Sequence, residues 1–168
     1  AAACADSGGV AYVPALLGLG TPTWDYGARG ALLGLTRGSG RPQIVRAVLE
    51  GIAQRAADLV VAAETDGGLT IGALRVDGGM SANPTFVQAL ADATGRSVEV
   101  SPEREATTMG GAFAAGLALG AWGSLDDIAA TWAPTEVVEP VGSFDRERWA
   151  DTLTRAQRWF PDLSAISF

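Results

Sequence analysis

The sequence predicts an α/β fold, and three observations carry that reading. Short apolar runs alternate with longer stretches whose apolar residues recur at helical spacing. Glycine, proline and asparagine mark the changes from one to the next. Leu74 to Asn83, L-R-V-D-G-G-M-S-A-N, reads as a strand that ends in a double-glycine turn and opens onto a helix. With 168 residues, 48% of them hydrophobic, the chain fits one domain with a real core.

The elements follow in order. Val10 to Pro14, V-A-Y-V-P, reads as a short strand. Gly18 to Pro22 and Trp24 to Gly30 form a glycine- and proline-bearing loop. Ala31 to Leu35 is a second strand, followed by a turn at Gly38 to Pro42. A long helix starts at Pro42 and runs to about Glu64, with a stripe of Val45, Leu49, Ile52, Ala56, Leu59 and Val60. Asp66-Gly67-Gly68 stops it. Ala73, Leu74 and Val76 supply the third strand. Asn83 before Pro84 places a capping side chain ahead of a pre-set first residue, so a helix is expected from Pro84 to about Thr94. Phe86, Val87, Leu90 and Ala91 form its buried face, and Gly95 ends it.

Val98 to Val100 is a further strand. A helix then spans about Arg104 to Gly120, with Met109, Phe113 and Leu117 on one side. Gly111, Ala115 and Ala118 lie on another side and are small enough for a second backbone to approach. Ser124 caps a short helix through Ala130, and Pro134 to Gly142 reads as irregular. Asp145 begins a last helix with a stripe of Trp149, Leu153, Ala156 and Phe160. The strands are fewer than a complete doubly wound sheet needs, and the chain has no initiator Met. Both observations lead to the expectation of a truncated domain.

Composition narrows the chemistry. The formal charge is −7, and a nucleic-acid groove needs clustered cations. The chain has no His, and all twelve of its cations are Arg. That removes Ser-His-Asp and Cys-His catalysis, Schiff bases, a P-loop lysine and His-bearing zinc sites. A general base carried here would have to be Asp or Glu. The lone Cys4 excludes a disulfide framework and fits a reducing compartment. No apolar run reaches membrane-spanning length, and the N-terminus has no signal-peptide pattern. A cytoplasmic location is expected.

The double-glycine turn is the strongest candidate site. Gly78 and Gly79 permit backbone conformations that a Cβ would forbid and let a ligand approach the main chain. A helix start beyond them suits nucleotides and other anions. The same residues also fit a tight strand–helix turn with an ordinary cap. A Rossmann dinucleotide site is not met, because G-G-M-S-A-N lacks the G-x-G-x-x-G spacing.

Four ordered motifs bring a resemblance into view. They are G-L-G-T-P-T-W-D-Y-G-A-R-G (Gly18 to Gly30), the stretch from Gly30 to Glu50, L-R-V-D-G-G-M-S-A-N, and E-A-T-T-M-G-G-A-F-A-A-G-L-A-L-G-A-W (Glu105 to Trp122). Together they resemble the C-terminal part of the FGGY carbohydrate kinases, from about Asp6 to Trp159. The first loop is more similar to the glycerol-type members than to the xylulose type, which usually carry a G-E-R loop there. Gluconate members share the scaffold. Departures are small: Pro84 follows Asn83 where the family often has a second Asn, and Thr108-Met109 replaces Ala-Leu.

The resemblance implies an actin-like, ribonuclease-H-like ATPase fold, with residues 1–168 as the C-terminal nucleotide-binding domain, truncated on its N-terminal side. It implies ATP and Mg²⁺ as cofactors, with the metal bound mainly outside this chain. Glycerol or a related polyol would be the acceptor, held by the missing domain, and a homo-oligomer is possible. The family's catalytic aspartate, polyol-binding residues and first two phosphate loops correspond to positions before Ala1, so the isolated chain is expected to be inactive. A non-catalytic split remnant that binds a partner chain is the competing reading. Gly79 is implied to pack beneath the nucleotide and Asn83 to reach its adenosine portion. Gly78 is assigned chiefly to turn structure. Asp77 would either lie near the nucleotide or its metal, or accept turn amides.

Other residues receive structural roles. Asp25 and Arg29 are expected to pair and brace their loop, next to Trp24. Glu105 is read as a helix-N-terminal carboxylate. Gly110 and Gly111 are read as close-packing positions near a hinge. Trp122, Trp132, Trp149 and Trp159 are assigned to the core or the domain edge.

Overall fold

The structure, a computed structural model, describes residues 1–166. Its elements are β1 (Ala11–Val13), β2 (Ala31–Leu33), α1 (Arg41–Gly67), β3 (Ala73–Val76), a 3-10 turn (Gly79–Ala82), α2 (Pro84–Thr94), β4 (Ser97–Val100), α3 (Ala106–Ala118), α4 (Leu125–Ala129), β5 (Glu136–Val138), α5 (Arg146–Ala156) and α6 (Pro161–Ser164). The α/β alternation read from the sequence is present, divided between two sheets. β1 and β2 form an antiparallel ribbon in which Tyr12 faces Leu32. β3 and β4 run parallel, and β5 joins β4 antiparallel in the order β3-β4-β5.

α1 serves both sheets. It starts after Gly40, whose N–H donates to Gln43 Oε1 at 3.2 Å. It ends at Gly68, which sits in the left-handed region at φ 59°. Only part of the stripe expected from the sequence is inward. Leu49, Ile52 and Ala56 pack against the core, whereas Val45 and Leu59 are exposed. The buried positions are Ala47, Glu50, Gly51, Ala53 and Ala57. α1 is held from two sides, and one of those sides admits only small residues. Gly51 shows why: a Cβ there would collide with the Tyr12 carbonyl of β1.

Two cores flank α1. The first joins Phe86, Val87 and Leu90 of α2 to Ala53 of α1 and Val98 of β4, with Leu74, Val76, Val100 and Val138 at its margin. The second joins Val13, Ala15, Leu19 and Ala28 to Trp149 and Ala156 of α5. Asp58 of α1 ties this second core together. It accepts the Trp149 indole N–H at 3.0 Å and pairs with Arg146 and with Arg55. Arg55 also donates to the Gly20 and Thr21 carbonyls, which pins the loop before β2.

Several expectations need correction. The stretch expected to be irregular, Pro134 to Gly142, contains β5, which pairs Val138 with Val98 and Glu136 with Val100. Its E-V-V core between two prolines has the look of a loop, yet an edge strand tolerates proline at its ends. The last helix stops at Ala156 because Gln157 turns extended and Arg158 takes φ 56°. Phe160 therefore belongs to a different element: its N–H donates to Gly27 O, and its ring lies 4.6 Å from the Arg29 guanidinium. Of the tryptophans assigned to the core or the domain edge, Trp149 is buried in the core and Trp159 is 70% exposed.

Asp25 and Arg29 brace their loop separately rather than as a pair. Asp25 accepts from the amides of Gly27, Ala28 and Arg158 and from the Ser164 hydroxyl. Burial alone would push its pKa up; the Ser164 hydroxyl and these three amides together hold it below the ordinary value. Arg29 donates to the Tyr26 and Ala28 carbonyls. α3 also departs from expectation. It has no buried residue, and a Cβ at Gly110 or Gly111 would meet open space, so the small-residue face packs on nothing within this chain. Glu105 stands at the N-cap of α3 but makes no capping hydrogen bond through its side chain.

Gly51 supports a direct test. Gly51→Ala forces α1 and β1 apart, because the obstructing atom is backbone and cannot swing away. Overpacking of this kind costs about 1–3 kcal/mol. Thermal unfolding is expected to show a melting temperature lower by several degrees. An unchanged value would mean that the two elements separate without cost.

Candidate functional site

The glycine turn grows out of the end of β3. Ser101 N–H donates to Val76 O at 2.9 Å, which carries the β3–β4 pairing to the edge of the turn. Asp77 follows, exposed and without a hydrogen-bond partner among the described residues. The alternative in which its carboxylate accepts turn amides is therefore not met. Gly78 takes φ 83° and ψ −177°, a conformation essentially reserved for glycine. The chain then closes the 3-10 turn, with Ser81 N–H on Gly78 O at 3.2 Å and Asn83 N–H on Met80 O at 3.0 Å.

Asn83 is the N-cap of α2. Its Oδ1 accepts from Thr85 N at 3.1 Å and Phe86 N at 3.3 Å. Two converging N–H donors fix the oxygen of the carboxamide inward and so settle which end is which. The Nδ2 amide has no acceptor among the described residues. Asn83 is thus a cap and a free donor at once: the cap uses its oxygen only. α2 is held rigid behind it by Phe86, Val87 and Leu90 in the first core.

The face of the turn is open. An added Cβ at Gly78 or at Gly79 would meet nothing within 4 Å. Gly79 lacks the positive φ of Gly78, so the glycine-only conformation falls on Gly78 alone while the open face is shared by both. Met80 stands beside them, 39% exposed. The site is a shelf rather than a hole. A deeper cavity lies between β1, α1 and α5 against Tyr12, Glu50, Gln54 and Trp149, and no residue of the turn lines it. No group of three or more acidic, Cys or His residues that could hold a metal occurs among the described residues.

The structure therefore brings Asp77, Gly78, Gly79 and Asn83 together on one strand–turn–helix unit. Ser81 is the residue that sequence reasoning passed over. It is 8% exposed, and its hydroxyl donates to Gly78 O at 2.7 Å. A serine three positions after a turn residue is a side-chain-to-backbone spacing that the sequence does carry. Arg75 was also unassigned. It pairs with Glu99 at 3.1 Å, and its guanidinium lies 3.9 Å from the Trp132 ring centroid, on the outer face of the sheet.

The two glycines should respond differently to substitution. Gly78→Ala is expected to cost about 1–3 kcal/mol through its backbone conformation. Gly79→Val is expected to stay within about 0.5 kcal/mol, because its side chain enters open space. Chemical denaturation of both variants checks this; equal losses would place strain at Gly79 as well.

Comparison with known proteins fits this geometry. Residues 1–119 match the family model described as the FGGY family of carbohydrate kinases, C-terminal domain. Glycerol kinase of Aromatoleum aromaticum is 44% identical over 164 residues, covering 95% of this chain and 33% of that protein. The solved structure of Plasmodium falciparum glycerol kinase with ADP aligns with a TM-score of 0.74 at 32% identity, over 99% of this chain and 33% of that one. Ligand-bound xylulose kinase of Lactobacillus acidophilus aligns with a TM-score of 0.65 at 28% identity, over 89% of this chain and 29% of that one. The chain spans about a third of the length of the curated relatives it matches. The α/β, actin-like reading of the motifs stands, and the chain belongs to the FGGY family of carbohydrate kinases, matching its C-terminal domain.

Proposed function

We propose that residues 1–168 are the nucleotide-binding C-terminal domain of a longer ATP-dependent polyol kinase that converts glycerol and ATP to glycerol 3-phosphate and ADP. The observation that carries this reading is the 44% identity to a glycerol kinase across 95% of the chain. The Gly18 to Gly30 loop, of glycerol type rather than G-E-R type, supports the same acceptor. The uncovered apolar α3 suits a helix that packs on a remainder of the protein.

In this reading Gly79 packs beneath the nucleotide, Gly78 shapes the turn, and the Asn83 Nδ2 amide donates to an acceptor of the adenosine portion. Asp77 lies near the nucleotide as an unpaired carboxylate. Phosphoryl transfer needs positioning and charge neutralisation more than covalent chemistry by the protein. This chain supplies positioning. Asp77 is the one carboxylate in the turn, and Mg²⁺ at a nucleotide site takes most of its ligands from phosphates and water. The metal would rest on phosphate oxygens and on residues outside the chain. No helix among the described residues is long and apolar enough to cross a membrane. A cytoplasmic location belongs to the same proposal.

Two experiments test the reading. The first separates the cap of Asn83 from its donor. Asn83→Asp keeps an oxygen for Thr85 and Phe86 but turns the free amide into a carboxylate. Stability is expected to hold, while nucleotide affinity falls by at least the worth of one hydrogen bond, about 1 kcal/mol. Asn83→Ala loses both, with about 1 kcal/mol from the cap. Nucleotide titrations beside thermal melts of the longer kinase decide; unchanged affinity in Asn83→Asp would reduce Asn83 to a cap.

The second is an assay of the chain itself with Mg-ATP and glycerol. No glycerol 3-phosphate is expected, because the family resemblance puts the catalytic aspartate and the polyol-binding residues outside this chain. Turnover near that of a whole glycerol kinase would overturn the assignment of the missing parts. Parallel assays of the longer kinase with glycerol, xylulose and gluconate settle the acceptor.

A further inference from the structure

We infer that Ser81 is a positioning residue for the nucleotide: by holding the Gly78 carbonyl, it aims the Gly79 N–H at an acceptor oxygen of the bound nucleotide. This rests on the reading of the turn given above and adds a residue and an atom to it.

The geometry starts from a peptide plane. The bond between Gly78 and Gly79 is planar and trans, so its carbonyl and its N–H point in opposite directions. Fixing one fixes the other. Two glycines in succession leave that plane unusually free to turn, because neither neighbour has a Cβ to oppose rotation. Ser81 removes the freedom. Its backbone N–H and its hydroxyl both donate to Gly78 O, at 3.2 Å and 2.7 Å. The carbonyl is held on both of its acceptor positions. Ser81 is buried, so water competes poorly for the hydroxyl.

The other end of the same plane is the ligand side. Gly79 is exposed, its N–H has no acceptor among the described residues, and the space at its α-carbon is open. Asn83 Nδ2, the second unused donor, stands on the same turn. Both donors are neutral, and both suit acceptor atoms of a nucleotide rather than a cation. Without the Ser81 hydroxyl, one backbone bond alone would hold Gly78 O. The plane would then sample orientations that turn the Gly79 N–H away from the ligand.

Ser81→Ala in the longer kinase tests this. The KM for ATP is expected to rise about two- to tenfold, the range of one neutral hydrogen bond. The KM for glycerol and the melting temperature should stay close to wild type. Ser81→Cys keeps the volume with a weaker donor and should fall between; it carries the test if the alanine variant folds poorly. Nuclear magnetic resonance of the ¹⁵N-labelled 168-residue chain gives a readout apart from activity. The Gly79 amide signal should broaden in Ser81→Ala before any ligand is added. A wild-type KM for ATP with an unchanged Gly79 signal overturns the role of Ser81. So does a rise in both KM values together, which would mark a general structural defect. If Asn83→Asp also leaves nucleotide affinity untouched, the nucleotide reading of the turn fails, and the role of Ser81 fails with it. If only Ser81→Ala is silent, the reading survives.

Discussion

The close approach of α1 to β1 at Gly51 is the constraint on which the rest of the chain depends. A helix touched on one side needs one apolar stripe. α1 is touched on two, by α2 and by β1, and the second contact is backbone against backbone. Only glycine fits where Tyr12 O meets the helix, and alanines at 47, 53 and 57 are among its other buried positions. Because α1 sits this close, Asp58 can reach Trp149 and Arg146 of α5 on one flank. On the other flank Leu49, Ile52 and Ala56 can receive α2. The glycine turn inherits its rigidity from the α1–α2 contact, since Asn83 is the N-cap of the helix that α1 supports.

Much of this was legible in the sequence because it is local. The strand before the turn, the cap at Asn83, the stop at Gly95 and the stripe of α2 each follow from neighbouring residues and appear where expected. What failed was nonlocal. Two of the six residues of the α1 stripe, Val45 and Leu59, face solvent because bulk at helical spacing does not say how many partners a helix has. β5 was missed because its pairing with β4 comes from across the sheet, while its own sequence carries loop residues. Asp25 was given Arg29 as a partner by proximity in sequence; the fold instead supplies Arg158 and Ser164, from the far end of the chain. At the candidate site the strand–turn–helix unit was readable and its internal geometry was not. Only the backbone angles assign the glycine-only conformation to Gly78 and not to Gly79, and only the hydrogen bonds show that Asn83 caps with one atom and leaves the other free.

The chemistry of the shelf is neutral throughout, except for Asp77. That suits the adenosine end of a nucleotide better than its phosphates. A neutral amide and a backbone N–H discriminate by direction, since each must meet an acceptor along a narrow range of angles. Direction has to be built in beforehand, or the ligand loses binding energy in ordering the site. The turn shows that preparation at three levels: α2 is anchored in the first core, Asn83 Oδ1 is fixed by two amides, and Gly78 O is fixed by Ser81.

The matched family segment ends at residue 119, yet the physical unit does not end there. Beyond it lie β5, which completes the sheet beside β4, and α5, which contributes Trp149 and Ala156 to the second core. The last turn reaches further back still. Ser164 and the Arg158 amide hold the Asp25 carboxylate, Phe160 N–H holds Gly27 O, and Ser164 occupies the space that a side chain at Gly27 would need. The loop from Gly18 to Gly30, which carries the glycerol-type motif, is thus shaped by residues more than a hundred positions away. A boundary drawn at residue 119 would leave Val13, Leu19 and Ala28 without their cover and Asp58 without Arg146 and the Trp149 indole. The stable unit therefore extends at least to Ser164, and the segment beyond the family match is part of what folds the matched one.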